Sequence, residues 1–109
     1  MGKEYLGEFE ELVMLMIALL KEEAYGLAIC DEIGERTGRA ATIGAVHATV
    51  ARLEKKGLVE THMGGSTHER GGRRKRLIKM TNTGKQALIR SKEVKVKLWA
   101  DIPELAIGG

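Results

Sequence analysis

The stretch TIGAVHATVARLEKKGLVE, residues 42–60, contains the change of period that decides the fold. Its first part carries apolar residues at helical spacing, namely Val46, Val50 and Leu53. Thr42 is a favourable N-cap residue, and lysines in the last turn before Gly57 favour a helix end at that glycine. The residues after Gly57 favour an extended strand. The stretch therefore predicts a helix that begins after Thr42, closes at Gly57 and leads into a strand.

Two more helices are predicted upstream of this one. The segment EFEELVMLMIALLK, residues 8–21, places apolar residues at helical spacing and carboxylates in the first turn. We interpret Glu8, Glu10 and Glu11 as partners of the helix dipole and as solvated charges. The segment AYGLAICDEIGERTG, residues 24–38, predicts a second helix that stops at its final glycine. Residues 8–57 therefore hold three consecutive helices.

Downstream of the third helix the pattern is that of a hairpin. The segments LVETHM, residues 58–63, and RRKRLIKM, residues 73–80, predict two strands. The polar stretch GGSTHERGG, residues 64–72, predicts a loop of about nine residues between them. A last helix begins at Asn82 or Thr83 and is stopped by Pro103.

These elements predict a mostly α protein with a small β-hairpin. Two short helices, a glycine-containing turn and a following basic hairpin are typical of a winged helix-turn-helix. The predicted fold has three helices, a two-stranded wing and a C-terminal helix. Residues 1–81 are predicted to form the winged-helix part, and residues 82–109 a C-terminal helix and tail of the same compact unit.

Length and composition set the class of protein. At 109 residues the chain fits one small soluble domain. Its longest apolar run, LVMLMIALL, is too short to span a bilayer, so no membrane partner is expected. Cys30 is the single cysteine, which excludes an internal disulfide and fits a cytoplasmic protein. We interpret Cys30 as a small buried residue.

Charge is sorted along the chain. Residues 1–35 contain nine acidic and two basic residues, whereas residues 36–109 contain six acidic and sixteen basic residues. The asymmetry indicates a molecule with one side that faces an anion. For a small protein with a pI of about 9.1 that anion is most often nucleic acid, so double-stranded DNA is the expected partner.

The third helix carries small residues opposite its apolar stripe, which permits close approach to a major groove. The residues predicted to contact DNA from this helix are Thr42, Gly44, Ala45, His47, Ala48, Thr49 and Arg52. In particular, Thr49 offers a hydroxyl group and Arg52 a guanidinium group. A helix that packs on a neighbour through its alanines is the alternative interpretation of this face.

The basic block RRKR is predicted to lie at the root of the hairpin. Alternation along a strand sends Arg73 and Lys75 to one side and Arg74 and Arg76 to the other, which suits contact with phosphates. Arg70 adds a fifth cation to the wing. A solvated strand end and a targeting signal are the alternatives for this block.

Four segments together resemble the PadR-like transcriptional regulators. They are LGEFEELVMLMIALL, EEAYGLAICDEI, GAVHATVARLEKKGLVE and ERGGRRKRLIKMTNTGKQAL. The resemblance covers roughly residues 6–88 and implies a homodimeric repressor that binds a pseudo-palindromic operator and, in many members, responds to a small-molecule effector. It also implies that Tyr25 lies near the DNA. At His47 the family usually has a tyrosine that contacts the DNA backbone, and this chain departs from that pattern.

The resemblance implies a dimer seam on the C-terminal helix. The residues assigned to this seam, with the N-terminal segment included, are Tyr5, Phe9, Leu88, Val96 and Trp99. An apolar effector pocket near Trp99, Met14 and Met16 is a hypothesis, and core packing of these residues is the interpretation that we favour over it.

No group of residues suggests an enzyme. The three histidines and Cys30 do not fall into a metal-ligand or nucleophile pattern, so neither catalytic residues, nor a metal, nor a cofactor is predicted. The competing function is a winged-helix protein interaction module that does not bind DNA. The cations of the wing favour the DNA-binding interpretation, because an interaction module is expected to keep a face poor in cations.

Overall fold

Within its described residues the chain forms four helices and one antiparallel hairpin. A computed structural model describes residues 6–66 and 74–105, with the backbone alone at positions 65, 66 and 74. In chain order the elements are α1 (Glu8–Leu20), α2 (Gly26–Thr37), α3 (Ile43–Lys55), β1 (Val59–Ser66), β2 (Arg74–Met80) and α4 (Asn82–Ala100). Short 3-10 turns follow α1 at Lys21–Glu23 and α4 at Pro103–Leu105. The predicted mostly α fold with a small hairpin is confirmed.

Helix ends fall where the sequence signals place them. The Thr42 hydroxyl oxygen accepts a hydrogen bond from the Ala45 backbone N–H at 3.0 Å and so caps the start of α3. The Thr81 hydroxyl oxygen accepts one from the Gly84 N–H at 3.0 Å and caps α4 in the same way. These two caps satisfy backbone donors that the first turn of each helix would otherwise leave without a partner.

The first turn of α4 is docked closely on the α3–β1 connection. The Thr81 N–H donates to the Leu58 carbonyl oxygen at 3.0 Å, and its hydroxyl donates to the Gly57 carbonyl oxygen at 2.8 Å. A Cβ atom at Gly84 would lie 2.0 Å from the Leu58 carbonyl oxygen, so only glycine permits this approach. The start of the C-terminal helix is therefore fixed to the winged-helix part.

One apolar core joins the three N-terminal helices to the hairpin. Its buried members are Val13, Met14, Met16, Ile17, Ala24, Ile29, Ile33, Val46, Val50, Leu53, Leu58, Val59, Ile78 and Ala87. α4 contributes only Ala87 to this group, and every residue from Lys92 to Leu105 is exposed. None of the helices in the described ranges combines the length and apolar character needed to cross a bilayer.

The hairpin is longer on its first strand than the sequence predicts. β1 runs through Gly64 and Gly65 to Ser66, so the prediction that a loop begins at residue 64 is wrong. Met63 pairs with Arg76 and Ser66 pairs with Arg74, which leaves two residues of β1 opposite Lys75. This is a β-bulge, and its extra residue bends and twists the wing. The glycine pair serves the bulge rather than a loop.

Candidate nucleic-acid interface

The helix-turn-helix consists of α2 and α3, with residues 38–42 between them. Val46, Val50 and Leu53 face the core, as predicted. The N-terminal half of α3 exposes the four predicted small or polar residues, Gly44, Ala45, His47 and Ala48. Thr42 is also exposed, with its hydroxyl oxygen engaged in the cap. Gly44, Ala45 and Ala48 are small, which permits another surface to approach the exposed N-terminal half of α3 closely.

Thr49 does not belong to this exposed face. Thr49 is only 1% exposed and lies on the buried face of α3. Its predicted place on the exposed face with Ala45 and Ala48 is therefore wrong. The physical reason is spacing, since Thr49 follows Val46 by three residues and precedes Leu53 by four. Its hydroxyl oxygen accepts a hydrogen bond from Arg52 Nη2 at 3.1 Å. A buried hydroxyl with this partner offers no surface to a base.

Arg52 is exposed but is held by two groups of its own chain. Besides its bond to Thr49, its Nε atom lies 3.6 Å from Oε2 of Glu10. The Arg52 guanidinium group is therefore held near the end of α3 by Glu10 and Thr49 before any contact with DNA. That contact stays a prediction.

Glu10 is the residue near α3 whose environment differs most from the sequence interpretation. The interpretation as a partner of the helix dipole fits its place in the first turn of α1, but the interpretation as a solvated charge is wrong, because Glu10 is only 6% exposed. Its carboxylate accepts from the Gly7 N–H at 2.8 Å and from Lys56 Nζ at 3.0 Å on both oxygens. Burial raises the pKa of Glu10, but the Gly7 hydrogen bond, Lys56 and Arg52 favour the ionised form and together hold the pKa below its ordinary value.

His47 lies against the start of α2. A Cβ atom at Gly26 would lie 2.8 Å from His47 Cε1, so the absence of a side chain at Gly26 makes room for the imidazole ring. The ring is at the same time on the exposed face of α3. His47 therefore occupies the junction of the two helices.

Tyr25 joins this junction to the wing. It forms an isolated antiparallel bridge with Leu77, and the Ile78 N–H donates to the Ala24 carbonyl oxygen at 2.9 Å. Lys75 Nζ lies 4.2 Å from the centre of the Tyr25 ring, which is a cation–π contact. The residues just before α2 thus extend the hairpin by a short third segment, and the wing is anchored beside the helix-turn-helix.

The described part of the basic block, residues 74–76, lies toward the tip of the wing rather than at its root. β2 begins at Arg74, and its other end, Met80, pairs with Val59 at the base of the hairpin. Arg76 is exposed, whereas Lys75 is half-buried on Tyr25. Arg70 and Arg73 lie outside the described residues, as does the side chain of Arg74. Arg76 is thus a described wing cation with an open face.

Carboxylates of α1 pair with cations from later in the chain. Glu8 Oε2 lies 2.6 Å from Arg39 Nη1, and Glu11 accepts from Lys95 Nζ and, at 3.1 Å, from the Ser91 hydroxyl. With the Glu10 pairs, much of the charge sorting seen in the sequence is used to join α1 to α3 and α4. The remaining excess of positive charge includes Arg76.

The predicted seam residues divide into two groups. Phe9 and Leu88 are half-buried against the core, and the Arg39 guanidinium carbon lies 5.0 Å from the centre of the Phe9 ring. Val96 and Trp99 are exposed. Tyr5 lies outside the described residues. Other exposed large apolar residues in α1, α4 and the tail are Leu15, Leu19, Ile89, Val94, Leu98, Ile102 and Leu105.

The hypothesis of an effector pocket near Trp99, Met14 and Met16 is wrong in its methionines. Met14 is fully buried and Met16 nearly so, both within the core cluster, while Trp99 is 56% exposed on the outer half of α4. The favoured interpretation, core packing, is confirmed for these methionines. A different cleft of about 430 Å³ lies between α1 and α4, lined by Glu11, Leu15, Leu88, Ile89, Lys92 and Lys95.

A comparison with protein families assigns most of this architecture. Residues 14–90 match the family model described as "Transcriptional regulator PadR-like family", a span that includes the helix-turn-helix, the wing and the first half of α4. The chain belongs to the PadR-like family. The predicted resemblance is confirmed, and the family is one of transcriptional regulators rather than enzymes. A comparison with curated proteins gives no match.

Solved PadR structures share the fold. A PadR-like transcriptional regulator from Bacillus cereus strain ATCC 14579 is 17% identical, with a TM-score of 0.70 over 90% of this chain and 93% of that chain. A PadR family regulator from Eggerthella lenta DSM 2243 is 22% identical, with a TM-score of 0.67 over 94% of this chain and 88% of that chain. One from Clostridium difficile R20291 is 23% identical, with a TM-score of 0.61 over 89% and 93%. The predicted winged-helix fold is thereby confirmed for this PadR-like chain.

Proposed function

We propose that this PadR-like regulator is a homodimeric repressor that acts in the cytoplasm and binds a pseudo-palindromic operator in double-stranded DNA. The observation that carries the proposal is the junction of α3 with the wing. The exposed Ala45 and Ala48 face lies on the helix that a winged helix-turn-helix inserts into the major groove. The Tyr25 bridge to Leu77 anchors the wing, with Arg76 exposed, on the residue that precedes α2.

Each element of this junction has a distinct role in the proposal. The small residues of α3 permit close approach to base edges, and His47 donates a hydrogen bond to the DNA backbone from its place beside Gly26. Arg76 and the neighbouring arginines of the wing contact phosphates or a narrow minor groove. Lys75 steadies the wing through the ring of Tyr25 and contributes less directly to the DNA contact.

Dimer formation is supported by the outer half of α4. Val96, Leu98 and Trp99 are exposed there, and a single α4 packs none of them into the core. Large apolar side chains exposed together along one helix segment are typical of an interaction site. A second copy that covers it would produce an isologous dimer, whose two α3 helices read half-sites about 34 Å apart.

A small-molecule effector also belongs to the proposal. The cleft between α1 and α4 has an apolar lining with lysines at its edge, and it adjoins the exposed residues of α4. A ligand there would alter how α4 lies on α1 and hence the spacing of the two α3 helices in the dimer. Weaker operator binding in the presence of such a ligand, with no effect on a Leu15→Trp variant that fills the cleft, is the expected result.

The central test is selection of genomic DNA fragments by the purified protein at moderate salt, followed by sequencing of the retained DNA. The expected result is enrichment of one inverted repeat with half-sites one helical turn apart, and a smaller total amount of retained DNA in Arg76→Ala. Equal retention of all fragments would contradict sequence-specific regulation. Retention of none would favour the protein interaction module.

A further inference from the structure

The carboxylate of Glu10 joins the first turn of α1 to the last turn of α3. One oxygen accepts from the Gly7 N–H at 2.8 Å, and both oxygens accept from Lys56 Nζ at 3.0 Å. Arg52 Nε lies 3.6 Å from the second oxygen. Glu10 and Lys56 are 46 positions apart in the sequence, so this is a tertiary link rather than a local helix pair.

The link continues into the body of α3. Arg52 reaches Glu10 with Nε and the buried Thr49 hydroxyl with Nη2. Three residues over the last two turns of α3 are thus connected to one buried carboxylate. Apolar contacts beneath them, such as those of Leu53, pack one face of α3 against the core. Directional bonds to a fixed carboxylate add a second constraint on the rotation of α3 about its axis.

An ion pair in which the Glu10 side chain is buried and the Lys56 side chain is half-buried is a poor source of net stability. The cost of removing charge from water offsets much of the attraction, and apolar replacements of similar size are often equally stable. What an ion pair supplies is a specific geometry, because an unpaired charge in that position is strongly disfavoured. Stability alone therefore does not explain why a glutamate occupies a core position of α1.

The next residue along α1 links the same helix to α4. Glu11 accepts from the Ser91 hydroxyl at 3.1 Å and from Lys95. Glu10 and Glu11 therefore connect, through one turn of α1, the end of α3 with the helix that carries the proposed dimer seam. In a dimer this turn determines how α3 is oriented relative to the twofold axis.

We propose that Glu10 is a positioning residue for operator recognition, one that never contacts DNA. It fixes the rotation and tilt of α3 relative to α4, so that the two α3 helices of the dimer match both half-sites at once. This inference rests on the proposed function, namely sequence-specific DNA binding by a dimer. It assigns the selectivity for the operator over other DNA to a buried acidic group.

The two interpretations of Glu10 predict opposite results for Glu10→Gln. If the group acts only through its charge, removal of a negative charge strengthens binding to all DNA to the same extent. If it positions α3, affinity for the selected operator falls about tenfold, while affinity for a scrambled duplex of equal length stays constant or rises slightly. The ratio of the two dissociation constants, measured at one salt concentration, is the deciding quantity.

Glu8→Gln is the matched control. Glu8 lies in the same turn, is exposed and pairs with Arg39 rather than with α3. It removes the same charge without breaking the link, so its ratio of dissociation constants should equal that of the wild type. An equal ratio in Glu10→Gln would overturn the proposal.

A charge-neutral double variant, Glu10→Met with Lys56→Met, keeps the test valid if Glu10→Gln folds poorly. It removes one charge of each sign and places apolar groups at the buried site, so the fold is expected to persist. The proposal predicts that its dissociation constant for scrambled DNA is unchanged and that its selectivity is lost. Retained selectivity would contradict the proposal.

Amide hydrogen exchange in the free protein separates this inference from the proposed function. The Lys56 and Gly57 amides donate to carbonyl oxygens at the end of α3 and report on its last turn. Faster exchange there in Glu10→Gln, but not in Glu8→Gln, supports the positioning role even if wild-type protein shows no preferred DNA. Unchanged exchange overturns the inference and leaves the proposed function intact.

Discussion

The winged-helix part and the outer half of α4 treat apolar residues in opposite ways. In the first, the large apolar side chains of three helices and the hairpin close on one another, so that Met14, Ile29 and Leu53 have no exposed surface. In the second, every residue from Lys92 to Ala100 is exposed, although Val96, Leu98 and Trp99 are among them. The same chain therefore has one region whose large apolar side chains are buried and one whose large apolar side chains are exposed. The proposed dimer would cover the second region.

The largest expected effect concerns the first region. Leu53→Ala removes a fully buried side chain between α3 and the core and should destabilise the protein by about 2–5 kcal/mol. Urea unfolding at two protein concentrations measures this loss. Because the cavity lies within one subunit, the loss should be the same at both concentrations. A loss that depends on concentration would contradict the view that this core lies within one subunit.

The second effect concerns the second region. Trp99→Glu places a charge where an aromatic residue is proposed to be buried against a second copy, and should raise the dimer dissociation constant by about 100-fold. Sedimentation equilibrium measures the change. Leu27→Glu is the control, because Leu27 and Trp99 are both 56% exposed but Leu27 lies on α2. Equal behaviour of the two variants would remove the distinction between the regions.

The sequence predicted the order of the elements and the limits of the helices because those depend on local signals. Thr42 caps α3 through its own hydroxyl, and Gly57 ends it, so both boundaries can be read from neighbouring residues. The extent of β1 could not be read in this way. Gly64 and Gly65 suggest a loop, and only pairing with β2 shows that they form a bulge inside a strand.

Two polar residues on buried stripes account for the main errors at the site. Glu10 precedes Val13, Met14 and Ile17 by three, four and seven positions, which is the spacing of one helix face. Thr49 holds the equivalent place on α3, with Val46 before it and Leu53 after it. In both cases a polar residue type suggests exposure to solvent, whereas the helical spacing places the residue on the buried face. Both residues are buried, because partners from elsewhere in the fold satisfy their polar groups.

These two residues meet through Arg52. Its guanidinium lies between the Glu10 carboxylate and the Thr49 hydroxyl. A polar side chain on a buried helix face needs a hydrogen-bond partner within the protein. The helical spacing of Glu10 and Thr49 indicates that each has one, but only the three-dimensional structure shows that the shared partner is Arg52.

A third, smaller effect concerns the wing. Arg76→Ala should weaken binding to all duplexes and reduce the slope of log K against log salt by about 0.9, the value for one phosphate contact. Titration of a fluorescent duplex at four salt concentrations measures the slope. Lys79→Ala is the control. Lys79 lies on the same strand, pairs with Glu60 near the base of the hairpin, and its removal should leave the slope unchanged. An unchanged slope in both variants would make the basic block a solvated strand end.

The smallest expected effect concerns the dependence of stability on pH through Glu10, the buried carboxylate of α1. The Glu10 pKa is held below its ordinary value of 4.5 in the folded protein, so ionised Glu10 favours the folded state at neutral pH. Fewer protons are bound in the folded than in the unfolded state near pH 4, so this contribution is complete above the unfolded pKa and is lost as the pH falls through the folded pKa.

The difference in unfolding free energy between wild type and Glu10→Gln, measured by urea titration, should therefore be constant from pH 7 to about 5 and shrink below about 4.5. Glu8→Gln is the comparison at pH 7 and should change the unfolding free energy little, because the Glu8 side chain is largely exposed and its ion pair with Arg39 is screened by solvent. A difference for Glu10→Gln that grows as the pH falls would mean that burial, rather than the cations of α3, dominates the environment of this carboxylate.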